Sequence, residues 1–285
     1  MKKAEHLYET GHELGEGPIW DAGKGILCWL DIFGKGFFRM NPDEGKPKQI
    51  KLEDSLTAIG LRGNGGYIVS ALDRVLLLNE KELEDTKLDL DVVRYNDGAV
   101  GPGGRFWIGT MDKEKGAFQG KLYRIDPDLS VTTVVEEVGT SNGIGWSLDG
   151  KYMYYTDSAR SVIYRYSFDK ESGEISDREE FIKVREEGEV PDGLAMDSEG
   201  CIYSAHFRGN KVVRYDPDGK EMEQVAVPVW NVTSCCFGDP DLKTLFITTA
   251  KTGSDKEHLK NEPHTGDIFA FHSETAGREE YTFGG

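Results

Sequence analysis

The sequence predicts an all-β chain folded as a six-bladed β-propeller, with four-stranded antiparallel blades around a central channel, and three observations predict it. A short phrase recurs six times: EGPIW at Glu16, TAIGL at Thr57, DGAVG at Asp97, NGIGW at Asn142, DGLAM at Asp192 and SCCFG at Ser234. Its spacing of roughly 40 to 50 residues is the period of a propeller blade or another stacked array. Each phrase is followed by a polar turn and two apolar, strand-like runs, while helical periodicity is nearly absent. The repeat runs without a linker or low-complexity break, so residues 1–285 are expected to form a single domain.

Each phrase begins with an oxygen-bearing side chain and should lie on the innermost strand of its blade. Equivalent positions of the blades would then form a ring, so Glu16, Thr57, Asp97, Asn142, Asp192 and Ser234 are expected to point toward a common axis. The turns that follow, DAGKG, RGNGGY, GPGGR, SLDGK, DSEGC and DPDLK, carry the Gly, Asp, Asn and Pro that tight reversals require. Second strands are expected at ILCWLDI, YIVSAL, FWIGTM, YMYYTDS, IYSAHF and LFITTA, which are rich in β-branched and aromatic residues. Third strands follow at FFRMNP, VLLLNE, LYRIDPD, IYRYSFD, VVRYDPDG and IFAFHSE, several closed by Asp-Pro or Asn-Pro. The fourth strands are fainter, as suits edges that meet water: KQIKL, VVRY, VTTVVEEV, EEFIKV, EQVAVPV and REEYTF. HLYET near the N-terminus is a further strand, and pairing of the two chain ends in one blade would close the ring. KEHLKNE, from Lys256, is the only short helical insertion expected, between the second and third strands of the last blade.

A formal net charge of -17, from 51 acidic against 34 basic residues, leaves no basic stripe for nucleic acid or anionic lipid. No apolar run approaches a transmembrane span, and the N-terminal segment lacks the apolar stretch of a secretory signal. A cytoplasmic protein without nucleic-acid or membrane partners is expected. Cys28, Cys201, Cys235 and Cys236 form no CxxC pair, and Cys28, Cys201 and Cys235, in apolar strand contexts, read as small core residues of a reducing compartment. Cys235 and Cys236 should face opposite sides of their strand. Trp20, Trp29, Trp107 and Trp146 read as packing between blades, and Trp230 in PVWNVTS is left unassigned.

The ring collects carboxylates from Glu16, Asp97 and Asp192 and an amide oxygen from Asn142, with Asn96 beside Asp97. Acidic groups aimed into one poorly solvated channel repel one another unless a cation neutralises them. Carboxylate and amide oxygens without sulfur or imidazole select hard cations, so one divalent ion is expected, Ca2+ foremost, then Mg2+ or Mn2+, with Zn2+ admissible in an open site. Asn-Gly and Asp-Gly are also common turn dipeptides. Here, however, each blade already has its reversal a few residues downstream, so these residues are surplus as turn signals.

Several phrases resemble the regucalcin and sugar-lactone lactonase family: LGEGPIW at Leu14, RYNDGAVGPGGRFWIGTM at Arg94, SNGIGWSLDGKYMYYTDS at Ser141, PDGLAMDSEG at Pro191 and TSCCFGDPDLKTLFITTA at Thr233. The resemblance runs over essentially the whole chain and implies a six-bladed propeller with one channel ion. It implies Glu16, Asn142 and Asp192 as metal ligands, and Arg94, Asn96 and Glu114 as substrate-binding positions. The implied activity is hydrolysis of a small sugar lactone, with the ion polarising the carbonyl. Asp192 is the expected base that takes the proton of the attacking water, with Asp97 or a metal-bound hydroxide as alternatives. Asp97 reads equally as a structural turn residue, and His206 in AHFRGN is a specificity residue only if it overlooks the channel mouth.

No G-x-S-x-G elbow, Ser-His-Asp arrangement or Walker motif appears. The competing functions are a phosphotriesterase-like hydrolase on the same propeller and a calcium-binding propeller without turnover. The polar set Arg94, Asn96 and Glu114 suits hydroxyl-rich rings better than apolar phosphoesters. Oligomeric state is not legible.

Overall fold

The computed structural model describes residues 1–79, 82–88, 94–112 and 116–285. It is a six-bladed β-propeller with a single short α-helix among the described residues. Blade one pairs Gly15–Asp21, Ile26–Asp31, Gly36–Met40 and Lys48–Lys51, each antiparallel to the next. Blades three and four repeat that meander, with first strands Tyr95–Gly101 and Ser141–Trp146 and outer strands Val131–Val138 and Glu174–Lys183. Blade two begins with Leu56–Arg62, blade five with Val190–Met196 and blade six with Val232–Gly238. The blades fall into two compact groups. One holds blades five, six and one (Met1–Ser55 and Val184–Glu279), the other blades two, three and four (Leu56–Lys183 and Glu280–Gly285).

Two edge assignments differ from the sequence expectation. The outer strand of blade two is Glu82–Asp85, not VVRY. Val92 and Val93 lie outside the described residues, and Tyr95 already starts the first strand of blade three. A charged edge such as ELED carries little of the apolar signal by which strands are found, whereas VVRY carries it by composition alone. At the C-terminus, REEYTF does not complete blade six. Thr282–Phe283 pairs parallel with Leu61–Arg62 of blade two, and Phe283 is buried among Tyr95, Val100 and Phe106. Burying one Phe is worth about 1.5–3 kcal/mol, more than an exposed edge position could return. The outer place in blade six goes instead to Glu5–Tyr8, which overlaps the predicted HLYET and pairs with Ile268–His272. Lys2–Lys3 adds in parallel to the outer strand of blade five.

The helix Lys256–Asn261 forms where KEHLKNE was expected, and the Asp255 carboxylate caps it by accepting from the Glu257 and His258 amides. No helix of the described residues is long and apolar enough to cross a membrane. The four predicted core tryptophans are buried. Trp20 stacks on Phe246 of the adjoining blade, and Trp107 meets Trp146 edge to face. The four cysteines are buried; Cys235 and Cys236 enter different core clusters, as strand alternation requires. Trp230 lies face to face with His258, their centroids 4.0 Å apart.

Trp29 also anchors a buried polar group that the sequence did not announce. Its indole N–H, a donor only, gives its hydrogen to His12 Nε2 at 2.8 Å. That nitrogen must therefore be bare, which leaves the imidazole proton on Nδ1, 3.3 Å from Asp31 Oδ2. Burial pushes the Asp31 carboxyl up, but hydrogen bonds from His12, Leu14 and Gly34 outweigh it and hold the group at about 2. A carboxylate whose folded value lies below its unfolded one contributes stability that is complete above the unfolded value. That contribution is lost as pH falls through the folded value. Asp31→Ala should therefore destabilise the protein by about 2 kcal/mol at neutral pH. In melts between pH 7 and pH 2, the gap from wild type should stay constant down to about 4 and close below it. A gap independent of pH over that window would contradict the assigned charge on Asp31.

Candidate functional site

The recurrent phrases are β-bulges. In every blade the register between first and second strand slips at the phrase: between Glu16 and Ile19, Leu56 and Ala58, Tyr95 and Gly98, Asn142 and Ile144, Pro191 and Leu194, and Val232 and Ser234. A bulge re-aims side chains at the cost of one ladder position, which is why oxygen-bearing and small residues recur there. The Asp-Gly and Asn-Gly pairs thus lie inside strands, and the reversals come downstream.

In the group of blades five, six and one, Asp192 and Glu16 lie on two first strands that both touch the first strand of blade six. Thr233 Oγ1 donates to the Gly15 carbonyl at 2.6 Å, one residue before Glu16. On the other side, a Cβ on Gly193 would sit 2.0 Å from Ser234 Oγ, so only glycine lets the strand beside Asp192 come this close. Both carboxylates are buried, and Glu16 Oε2 accepts from the Gly17 amide at 3.1 Å. Gly193→Ala should cost about 1–3 kcal/mol by overpacking and slow any reaction that depends on Asp192. Adding Ser234→Gly should restore part of both losses, as judged by thermal melts and rates. A Gly193→Ala protein as stable as wild type would show that the contact yields freely.

In the group of blades two, three and four, Asn96 and Asn142 are brought together. Asn96 Nδ2 donates to Asn142 Oδ1 and to the Ser141 carbonyl, both at 2.8 Å. Asn142 Nδ2 donates to Ser158 Oγ at 2.7 Å. The two ends of the Asn142 amide are thereby told apart, and its oxygen keeps one lone pair beyond the bond from Asn96. Asp97 accepts from the Gly98 amide at 2.8 Å, yet burial prevails and pushes its carboxyl up to about 6. Thr57 is tied to Ser70 within blade two at 2.7 Å. Arg94 stands directly before the first strand of blade three, where its carbonyl accepts from the Met111 amide. Glu114 lies outside the described residues.

His206, on the second strand of blade five opposite Pro191, is buried. Its Nδ1 bonds Glu189 Oε1, which also receives Lys211 Nζ at 3.0 Å, and its Nε2 lies 3.3 Å from the Tyr215 hydroxyl. Burial raises the Glu189 carboxyl, but His206 and Lys211 outweigh that and leave it below its ordinary value. Both ring nitrogens of His206 are thus engaged within the protein.

Ser158 and Thr233 were not singled out from the sequence, although both sit in phrases that carry the repeat. Their signal was position alone: one at the end of a second strand, one just before the oxygen-bearing residue of blade six. Asp197, Glu199 and Cys201 also bring metal-type donor atoms within 4.8 Å of one another. Arg214, however, donates to Asp197 Oδ2 from Nε (2.9 Å) and Nη2 (2.6 Å) and to Glu199 Oε2 (2.7 Å). Burial also pushes the Cys201 thiol up to about 11, so it stays protonated at neutral pH. The arginine already supplies the countercharge in this cluster.

Comparison with known proteins agrees with this architecture. Residues 14–251 match the family model described as the SMP-30/gluconolactonase/LRE-like region. Rabbit (Oryctolagus cuniculus) regucalcin is 36% identical over 278 residues, covering 94% of this chain and 93% of the relative. YvrE of Bacillus subtilis, whose name carries a provisional assignment as a sugar lactone lactonase, is 36% identical over 283 residues, covering 97% of each. The crystal structure of a calcium-binding protein, regucalcin from Agrobacterium tumefaciens, superposes with a TM-score of 0.92 at 27% identity, over 99% of this chain and 97% of that one. With bulged blades in the family's order and a family match spanning most of its length, this chain belongs to the SMP-30/gluconolactonase/LRE-like family.

Proposed function

We propose that the protein is a divalent-metal-dependent hydrolase that opens sugar lactones. Two observations support this reading: the amide of Asn142 is oriented by Asn96 and Ser158, and Glu16 and Asp192 are buried carboxylates on bulged strands. Glu16, Asn142 and Asp192 would hold the ion. Two carboxylates and an amide oxygen fit a hard cation, with Ca2+ foremost, in keeping with the description of the Agrobacterium relative as calcium-binding. Once bound, such an ion supplies Lewis-acid polarisation of the lactone carbonyl and stabilises the oxyanion.

The remaining work falls to side chains. Asp192 takes the proton of the attacking water and returns it to the ring oxygen as the ester bond breaks. Asn96 holds the Asn142 amide in place and shares binding of the sugar hydroxyls with Arg94 and Glu114. Arg94 offers a fork of donors for those hydroxyls or for the developing oxyanion. Asp97, whose carboxyl burial pushes up to about 6, is the second candidate for the base.

The test is proton release, followed by pH-stat, on a panel of aldonolactones. Protein stripped by chelator is refilled separately with Ca2+, Mg2+, Mn2+ or Zn2+. Metal-restored opening of one lactone above its spontaneous rate is the expected result. A folded, metal-loaded protein silent on every lactone would leave a calcium-binding propeller without turnover, or phosphotriester substrates, as the better reading.

A further inference from the structure

A second donor set lies away from the bulged strands, at the edge of blade six. His6, on the outer strand Glu5–Tyr8, places Nε2 2.9 Å from Asp267 Oδ2. His264 directs Nδ1 at the same oxygen from 3.1 Å. The three atoms lie within 4.8 Å of one another, and the two imidazoles face each other with centroids 3.9 Å apart. The carboxylate is fixed: its other oxygen accepts from the Thr10 and Gly11 amides, both at 2.8 Å, and its side chain is only 2% exposed. His264 sits in a turn closed by the Asp267 amide donating to the His264 carbonyl. That turn is backed by Gly266, where a Cβ would meet the His12 carbonyl at 2.4 Å. The imidazoles remain open to solvent, with 31% of the His6 and 46% of the His264 side chain exposed.

We propose that His6, His264 and Asp267 form a second metal site, for Zn2+ or a similar borderline transition ion, that pins the N-terminal strand to blade six. Zinc bonds of about 2.0–2.2 Å arranged tetrahedrally hold their donors about 3.3–3.5 Å apart. The two nitrogen–oxygen separations need to widen by only a few tenths of an ångström, the two imidazole nitrogens, within 4.8 Å of each other, settle at the same spacing, and a water completes the fourth position. Two imidazoles and one carboxylate suit Zn2+, Cu2+, Ni2+ or Co2+ rather than Ca2+ or Mg2+, the reverse of the oxygen-only set proposed for the lactone site. The two sites are therefore separable by chemistry. His6 and Asp267 are 261 residues apart in sequence, so an ion joining them closes one of the longest loops available in the chain. Clips that close long loops remove the most disorder from the unfolded chain.

The experiment uses full-length protein without a histidine tag, stripped by chelator and held in saturating Ca2+, titrated with Zn2+ by calorimetry and with Cu2+ by electron paramagnetic resonance. Wild type should bind one equivalent of Zn2+ and show coupling of Cu2+ to two nitrogens. His264→Ala and His6→Ala should each weaken Zn2+ binding by at least about 100-fold and remove one coupled nitrogen, with Ca2+ binding and lactone turnover unchanged. Zn2+ should raise the melting temperature of wild type but of neither variant, and should slow amide exchange at Glu5–Tyr8. Equal Zn2+ binding by wild type and both variants, or no Zn2+ bound in the presence of Ca2+, overturns the site. Binding without slower exchange in the N-terminal strand overturns its role as a clip.

Discussion

Asp192→Asn is expected to lower the turnover of the best lactone by about 10^2- to 10^4-fold, the range lost when a positioned acid–base group is removed. Asparagine keeps an oxygen able to face a cation but cannot accept a proton. The variant should therefore still bind metal, measured by calorimetry, while pH-stat rates collapse. Asp192→Ala removes both functions and should be inactive at any metal concentration. Asp97→Asn separates the two candidate bases. With Asp192 as base, Asp97→Asn should cost less than about 10-fold; with Asp97 as base, Asp97→Asn should itself cost about 10^2- to 10^4-fold and abolish the rise in rate near pH 6. Near-wild-type turnover by Asp192→Asn would remove the residue from the proposed chemistry.

Chelation should abolish turnover altogether, and Glu16→Ala should shift the metal requirement rather than the chemistry. Losing one of three protein ligands is expected to raise the ion concentration for half-maximal rate by about 100-fold or more, with the maximal rate partly recovered at high metal. Stability should move with it. Glu16 and Asp192 are buried carboxylates, and if both face one ion as proposed, their like charges would repel once it is removed. The melting temperature should fall on chelation and rise again with metal by mass action. Glu16→Gln, which removes one negative charge, should narrow the difference between stripped and loaded protein. A melting temperature indifferent to chelator and metal would place the ion elsewhere or nowhere.

What the sequence determined by itself was whatever repeats. The six phrases, their downstream turns and the two apolar runs behind them carry period and composition, and these suffice to mark the blades, the helix at Lys256 and the core tryptophans. The candidate positions were legible for the same reason: six times over, a polar residue stands where no turn needs it, and each of those phrases falls at a bulge.

Tertiary structure alone decided what depends on partners remote in sequence. The bulges that turn Asn142 and Asp192 out of register arise from pairing with the second strands. The Asn96–Asn142 bond crosses 46 residues and leaves no local signal. The C-terminal segment went to blade two because Phe283 finds a core there, a choice that strand propensity cannot express. His6 and His264 are two unremarkable surface histidines in the sequence. They become neighbours only because the strand Glu5–Tyr8 completes the last blade, and a non-local pairing of that kind is written in packing, not in pattern.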